Sequence, residues 1–394
     1  MHLLKDRATD VLIVGAGAIG LAIADRLAGE GVAVRLLEAE SAGAGASGAA
    51  AGMLAPVSEA EGDSPLLRLG LESLAGFEGL CTRLKQETGI DPELERSGLL
   101  HAAFSEAELE ALEGKRLKLE QAEGRAQWAM APVLEPVDGE SLRASGLGLG
   151  EGVVGGLLSP LEAHLRPPLL VRALEASARS RGARIESGVR ANRLRLEAGR
   201  IVGVESSEGM LSADAVVVCA GVWTPSLLQA SGVLGAEREA GMIEPVRGQI
   251  LCLEAPLPAA SSIVWAAGAY LVPKRDGSWV VGATQERVGF DRRVTAEGIA
   301  WLLDRARRAF PGIADASFAS AWAGLRPVSA DGLPWIGAWP GASGLFVAAG
   351  HGRNGVLLAP VTARLVVDAL LGKVSGSEAE RAVEPARGWR SGAG

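Results

Sequence analysis

Three cysteines, Cys81, Cys219 and Cys252, stand far apart in 394 residues, which excludes a disulfide framework and any CxxC metal or redox motif. That usage suits a reducing compartment, and a cytoplasmic protein is expected. Basic charge is also short: 39 lysines and arginines against 47 acids leave a net charge of −8, the wrong sign for gripping nucleic acid or anionic lipid. Long apolar runs are missing. The uncharged apolar stretch Val11–Ala24 falls below the roughly 20 residues of a membrane helix and is interrupted by three glycines. Residues 1–9 carry Lys5, Asp6 and Arg7 with no apolar core after them, so they do not read as a secretory signal. Aromatics make up 4% of the chain and tyrosine occurs once, so any phenol in a site must be Tyr270. There is no repeat of fixed period, and no residue cluster calls for a metal.

What is present is a globular composition, 48% hydrophobic and 22% charged, with 53 glycines for tight turns and close backbone packing. This length predicts two domains, each with its own core. The apolar run Val11–Val14 is followed by Gly15, Gly17 and Gly20, a helical pattern to Leu27 closed by Gly29 and Gly31, and a second strand, Val32–Leu37, that delivers Glu38. A small-residue loop from Ser41 to Gly52 comes next, then a Leu-rich, charged region to about Gly124 that reads as inserted helices. A helix should open at Arg166-Pro167-Pro168 and run to about Arg181. Short strands with a turn at Gly199 follow from Arg184 to Asp214, leading into the buried run Ala215–Val218. Pro245–Ala283 reads as strand-rich with turns at Gly248, Gly268 and Gly277, and Thr295–Phe310 as helical. The chain closes with a strand at Leu345–Ala348, a turn at Gly350–Gly355, a helix from about Val356 to Leu371 and a polar tail from Lys373.

The glycine spacing in the first strand–helix–strand unit has a physical purpose. One glycine makes the tight turn, one lets the backbone approach a pyrophosphate, and one allows helix and strand to pack closely. The helix N-terminus then favours the anion, while Glu38 would accept from ribose hydroxyls and disfavour a 2′-phosphate. Because no second such fingerprint follows a strand elsewhere, FAD is expected rather than a nicotinamide-linked flavin reductase. The small residues of Ala46–Met53, the close approach at Ala220-Gly221 and the glycine turn before the last helix, whose N–H groups could stabilise negative charge on a reduced flavin, point the same way.

Taken together, GAGAIG, ASGAAAGML, VVVCAGVW, PVRGQ, AGLRPVSADGLPWIG and GHGRNGVLLAP resemble the D-amino-acid oxidase superfamily, and most closely its bacterial glycine oxidases of thiamine biosynthesis. The resemblance implies hydride transfer from the substrate Cα to non-covalent FAD, hydrolysis of the released imine to a 2-oxo acid and ammonia, and reoxidation by oxygen to hydrogen peroxide. It also implies a homo-oligomer. Arg326 matches the arginine that clamps the substrate carboxylate, which suits a planar guanidinium fork. Arg353 matches a second arginine near substrate and flavin, Tyr270 a pocket tyrosine, and Met53 and Ala51 flavin contacts, Met53 facing the substrate as well. The expected cofactor residues are Gly15, Gly17, Ala18, Ile19, Gly20, Glu38 and Ala39 in the first unit, then Ala46, Ser47, Ala51, Gly52 and Met53 in the small-residue loop. Val189, Ala220 and Gly221 follow, with Gly350, His351, Gly352, Arg353, Asn354, Gly355, Val356 and Leu357 at the closing turn.

Two positions depart from the family pattern. Gly268 stands where some glycine oxidases carry histidine, and Gln285 replaces an apolar residue, so the substrate preference is open among glycine, sarcosine, D-amino acids and proline. His351 reads as a turn cap rather than a base. No obligatory acid or base is expected, since the lone pair of a neutral amine assists hydride departure once the Cα–H is positioned. The segment Ser329–Pro334 lacks the cysteine through which related sarcosine oxidases attach flavin. The expected fold is α/β, a discontinuous Rossmann-type FAD-binding domain (1–80, 150–235 and 320–394) with a second, strand-rich α+β substrate domain (81–149 and 236–319). A dehydrogenase passing electrons to a quinone or protein, a tRNA-modifying flavoprotein and a non-catalytic FAD-bound subunit are the competing readings.

Overall fold

The computed structural model describes residues 10–234, 242–254, 262–373 and 376–387; residues 1–9 and the end of the polar tail lie outside these. Every residue of β1 (Val11–Val14) is apolar and buried, as befits a strand covered on both faces. The chain turns at Gly15, whose φ of +107° suits glycine, into α1 (Ala18–Gly29) and returns as β2 (Val34–Glu38), parallel to β1. The small-residue loop leads through β3 (Met53–Leu54) and α2 (Pro56–Glu59) to α3 (Pro65–Thr88). Ser64 Oγ accepts from Leu67 N–H to cap α3, and Gly89 ends it in the left-handed region.

The inserted region expected to be helical contains a strand, β4 (Leu99–Ala103), between α3 and α4 (Glu106–Glu120). Its sequence, four apolar residues around His101, is set as a strand by neighbours on both sides rather than by local pattern. Beyond it come β5 (Glu135–Asp138), α5 (Gly139–Ala144), β6 (Gly155–Ser159), β7 (Ala163–His164) and α6 (Pro167–Ser180), the last starting on its two prolines as expected. Next are β8 (Arg184–Ser187), β9 (Ala191–Glu197), β10 (Arg200–Ser206), β11 (Gly209–Ser212), β12 (Ala215–Val218) and α7 (Thr224–Ala230). The strand-rich stretch holds β13 (Ile243–Glu254), β14 (Ile263–Ala266), β15 (Ala269–Pro273) and β16 (Ser278–Gly282). The chain finishes with α8 (Ala296–Ala309), β17 (Ser317–Ser329), β18 (Trp335–Ala338), β19 (Leu345–Ala349), α9 (Ala359–Leu370) and α10 (Glu378–Ala382).

The first sheet has the order β18-β19-β12-β1-β2-β8, parallel except for the edge strand β18. Alternate residues of β1 feed two cores: Val11 and Ile13 pack with α1, α3, α6 and α9, and Leu12 and Val14 with residues of the three-stranded sheet β11-β10-β9. The larger sheet runs β17-β13-β16-β15-β14-β4-β6-β5. One face is covered by Leu302 and Ala306 of α8, and the other brings Ile250, Val272 and Val280 against Ala51 and Ala55 of the small-residue segment. That second face therefore meets the expected cofactor loop.

Three expectations need correction. Gly248 is no turn: it lies inside β13 opposite Gly324, and a Cβ there would stand 2.2 Å from Arg326 Nη1, so the glycine makes room for a guanidinium. The last helix begins at Ala359 rather than Val356, after four residues of turn. β17 also runs across the expected boundary at residue 320, and β6, inside the range expected for the FAD-binding domain, pairs in the larger sheet.

Candidate active site

At the end of β1 the glycines bring backbone against backbone. A Cβ on Gly15 would lie 2.4 Å from Cys219 O, and one on Gly20 would lie 2.0 Å from Gly15 O. Gly20 therefore serves the packing of helix on strand. Ser47 Oγ accepts from Ala18 N–H at 2.9 Å, which ties the small-residue loop to the first turn of α1. Glu38 is more occupied than expected, for its Oε2 accepts from Ala16 N–H at 2.8 Å and its Oε1 from Glu40 N–H at 2.9 Å. Each oxygen keeps a further lone pair for a ribose hydroxyl.

A single cavity of about 730 Å³ joins this turn to the face of the larger sheet, a size typical of cofactor and small-ligand sites. Gly15, Gly17, Ile19, Glu38 and Ala39 line it, as do Ala46, Ser47, Ala51, Gly52 and Met53. Val189, Ala220 and Gly221 also border it, with His351, Gly352, Arg353, Asn354, Gly355 and Val356 of the closing turn. Ala18, Gly20, Gly350 and Leu357 do not border it. The loop is pinned from behind by Lys274, whose Nζ donates to Ala51 O at 2.8 Å and to Leu165 O at 2.9 Å. Burial, together with the nearby Arg166, lowers the Lys274 ammonium to about 7. Cys219 is the cysteine at the wall, and burial raises its thiol far above the ordinary value, which leaves a poor nucleophile. His351 Nε2 lies 3.0 Å from Thr362 Oγ1, linking the turn to α9, and burial lowers the imidazole to about 3. It is a neutral structural tie.

At the other end of the cavity Arg326, on β17, donates from Nη1 to Thr284 O at 3.0 Å and turns the rest of its guanidinium toward the space beside Tyr270. A Cβ on Gly282 would meet the Tyr270 hydroxyl at 2.4 Å, so that glycine seats the phenol as Gly248 seats the guanidinium. Burial pushes the Tyr270 hydroxyl up to about 12 against the opposing pull of Arg326, so it remains a donor at neutral pH. Arg353 pairs through Nη2 with Glu59 Oε2 at 2.6 Å and lies 5.9 Å from the Trp265 ring centre. Burial raises the Glu59 carboxyl, and Arg353, Arg326 and Lys115 hold it back. Trp265 in turn stacks on His101 and meets Tyr270 edge-on. Sequence reasoning missed Glu59 and Trp265, both at the wall with Gly268 and Gln285. An acid six residues beyond Met53, just after Pro56, was the available signal for Glu59.

The DAO family of FAD dependent oxidoreductases matches residues 10–369. The chain belongs to this family. Within it, glycine oxidase of Geobacillus kaustophilus is 36% identical over 360 residues, 91% of this chain and 92% of that protein. The bifunctional protein ThiO/ThiG of Synechocystis is 35% identical over 370 residues, 92% of this chain and 52% of its own length. The crystal structure of the Geobacillus kaustophilus glycine oxidase superposes with a TM-score of 0.86 at 35% identity, covering 94% of this chain and 96% of that one. The resemblance drawn from the motifs is thereby borne out, and so are the fold class and the FAD cofactor. The family's cofactor fits the residues present: a glycine turn at a helix start, an acid at the tip of β2, a wall of small residues and a cavity of sufficient size. Among the described residues there is no group of side chains that could hold a metal ion, and no helix is long and apolar enough to cross a membrane.

Proposed function

We propose that this FAD-dependent oxidoreductase oxidises glycine and other small amino acids and amines, among them sarcosine and D-alanine, to the 2-oxo acid, the amine-derived product and hydrogen peroxide. The observation that carries the reading is the convergence of Arg326, Tyr270 and the Arg353–Glu59 pair in the cavity that begins at the Gly15–Gly17 turn. Bound FAD, held non-covalently, supplies the two-electron acceptor. Arg326 holds the substrate carboxylate with donors that Thr284 leaves available, and Gly248 gives its guanidinium the room to lie flat. Tyr270, kept protonated by burial, donates a hydrogen bond beside it. Glu59, whose hold on a proton is strengthened by burial, presents an oxygen near the arginines that can balance or accept charge from the substrate ammonium. With carboxylate and amine both held, the Cα–H has one presentation, and the rate follows from that orientation. Amino acid and oxygen as the small-molecule partners, a cytoplasmic location and a homo-oligomer belong to the same proposal.

The test is an anaerobic flavin-bleaching screen with glycine, sarcosine, L-proline and both enantiomers of alanine, followed by peroxide measurement in air. Glycine, sarcosine and D-alanine should reduce the flavin faster than L-alanine, with overlapping rates, because one methyl group alters specificity by only about 1–3 kcal/mol. Faster reduction by L-alanine would sink the stereochemical claim. Fast reduction with negligible peroxide would replace the oxidase by a dehydrogenase.

A further inference from the structure

Behind Glu59 lies a set of buried charges that the reaction as described does not touch. Ser58 is the residue before Glu59 in α2, and all three of its polar groups are held by charged side chains from distant parts of the chain. Its N–H donates to Glu162 Oε1 at 2.6 Å, its hydroxyl donates to Glu162 Oε2, and its carbonyl accepts from Lys115 Nζ at 2.6 Å. Glu162 is wholly buried between β6 and β7, where its own carbonyl accepts from Gly98 N–H at 2.9 Å. Lys115 arrives from α4.

A helix of four residues cannot hold its own geometry, because one turn fixes several dihedrals for a single hydrogen bond. α2 must therefore be held from outside. Burying a carboxylate and an ammonium is costly unless each is paired and hydrogen-bonded, and here both are spent on one serine next to a cavity acid. The groups facing Glu162 are Ser58, Lys115 and Glu59, and those facing Lys115 are Glu162, Glu59, Glu61 and Arg353. Burial pushes the Glu162 carboxyl up to about 7, while Ser58 and Lys115 oppose the rise. Protonating it would turn one acceptor oxygen into a donor and force the Ser58 hydroxyl to reorient.

We propose that Glu162 and Lys115 are positioning residues: by clamping Ser58 they fix Glu59 at the cavity wall, and through the Glu59–Arg353 ion pair they set where Arg353, the second cavity arginine, stands beside the carboxylate that Arg326 holds. The inference rests on the reading of the cavity as an amino-acid site. Its first consequence is on binding rather than on the chemical step, and its second is that binding weakens as Glu162 gains a proton.

The experiment uses the FAD-loaded protein with Glu162→Gln, Lys115→Met, Lys115→Arg and, as a structural control, Asp25→Asn. Asp25 is buried on α1 and bonded to Ser177 and Arg83, away from the cavity. Dissociation constants for acetate, a carboxylate that cannot react, are read from the flavin absorbance between pH 6 and 9, alongside KM and kcat for glycine and the thermal midpoint. Glu162→Gln and Lys115→Met should each weaken acetate and raise KM about tenfold, with kcat nearly unchanged and Lys115→Arg in between. Glu162→Gln should also remove the weakening of acetate binding near pH 7. Asp25→Asn should lower the thermal midpoint and leave acetate binding alone. Acetate binding unchanged in both variants, or weakened no more than it is in Asp25→Asn at an equal loss of midpoint, would overturn the proposal. Should Glu162→Gln not fold, Lys115→Met alone decides by the same criteria. A parent protein that binds acetate yet leaves glycine unoxidised would overturn the functional reading and not the clamp; one that oxidises glycine while the variants bind acetate normally would do the reverse.

Discussion

Around Gly15, Gly17 and Ser47 the cavity wall is backbone and small side chains, whereas around Arg326, Tyr270 and Glu59 it is charged and polar side chains, held by a backbone carbonyl at Arg326 and by Arg353 at Glu59. At the first end glycine removes atoms so that two segments can touch, and the tolerance is set by a carbonyl oxygen 2.0 Å from a missing Cβ. At the second end glycine recurs at Gly248 and Gly282, but there it makes space for a side chain. A missing atom thus serves chain packing in one region and side-chain placement in the other. The two regions should fail differently when altered.

The largest effect is expected from Arg326→Ala. Truncating one partner of a buried charge pair costs roughly 2–5 kcal/mol, or about 30-fold to several-thousand-fold in binding. KM for glycine should rise by that factor while FAD stays bound, and amines without a carboxylate should change little. Equal losses for amines and amino acids would remove the carboxylate from its assigned partner. Gly20→Ala should do the opposite. Forcing a methyl against the Gly15 carbonyl is an overpacking change of about 1–3 kcal/mol, and it should lower the thermal midpoint and loosen FAD before it alters KM in the fraction still loaded. A raised KM at full FAD occupancy would erase the distinction between the two ends.

The smallest effect per step is pH. Burial holds His101, His164 and His351 neutral, at about 3 each. Their unfolded forms take up protons near 6.5, so between those values the unfolded chain binds more protons than the folded one. Stability is present above about 6.5 and declines as pH falls toward 3, each histidine contributing at most about 1.4 kcal/mol per pH unit. Glu162, raised to about 7, works the other way over the upper part of this range. Thermal midpoints from pH 8 to 4 should therefore fall with acid, and His164→Gln should flatten the slope. An unaltered slope would mean that His164 is not held neutral.

What could be read in the sequence follows the same contrast. The β1–α1–β2 unit is local: a buried apolar run, three glycines and an acid lie within one short stretch, and periodicity alone separates strand from helix. α6 is likewise announced by two prolines, and the β9–β10 hairpin by Gly199. β4 was hidden because four small or apolar residues around His101, between helices, become a strand only through pairing with β6 and β14. Gly248 misled as a turn because its reason is a guanidinium on another strand. Glu59 had only its closeness to Met53 and Pro56 as a sign and Trp265 had none, since their roles depend on Arg353 arriving from the far end of the chain. Arg326 and Tyr270 came from family resemblance, and no spacing in the residues themselves would have brought them together.

The strand order of the first sheet has a consequence for how the protein is made. β1 emerges from the ribosome early, yet β12 on its flank pairs with β19, and the turn after β19 forms part of the cavity wall. Synthesis proceeds at roughly 5–20 residues per second, so the glycine turn waits tens of seconds for the segment that completes its surroundings. Flavin loading is accordingly an event of the finished polypeptide, and a chain arrested before Leu345 would carry the fingerprint of a flavoprotein with nowhere to keep the flavin.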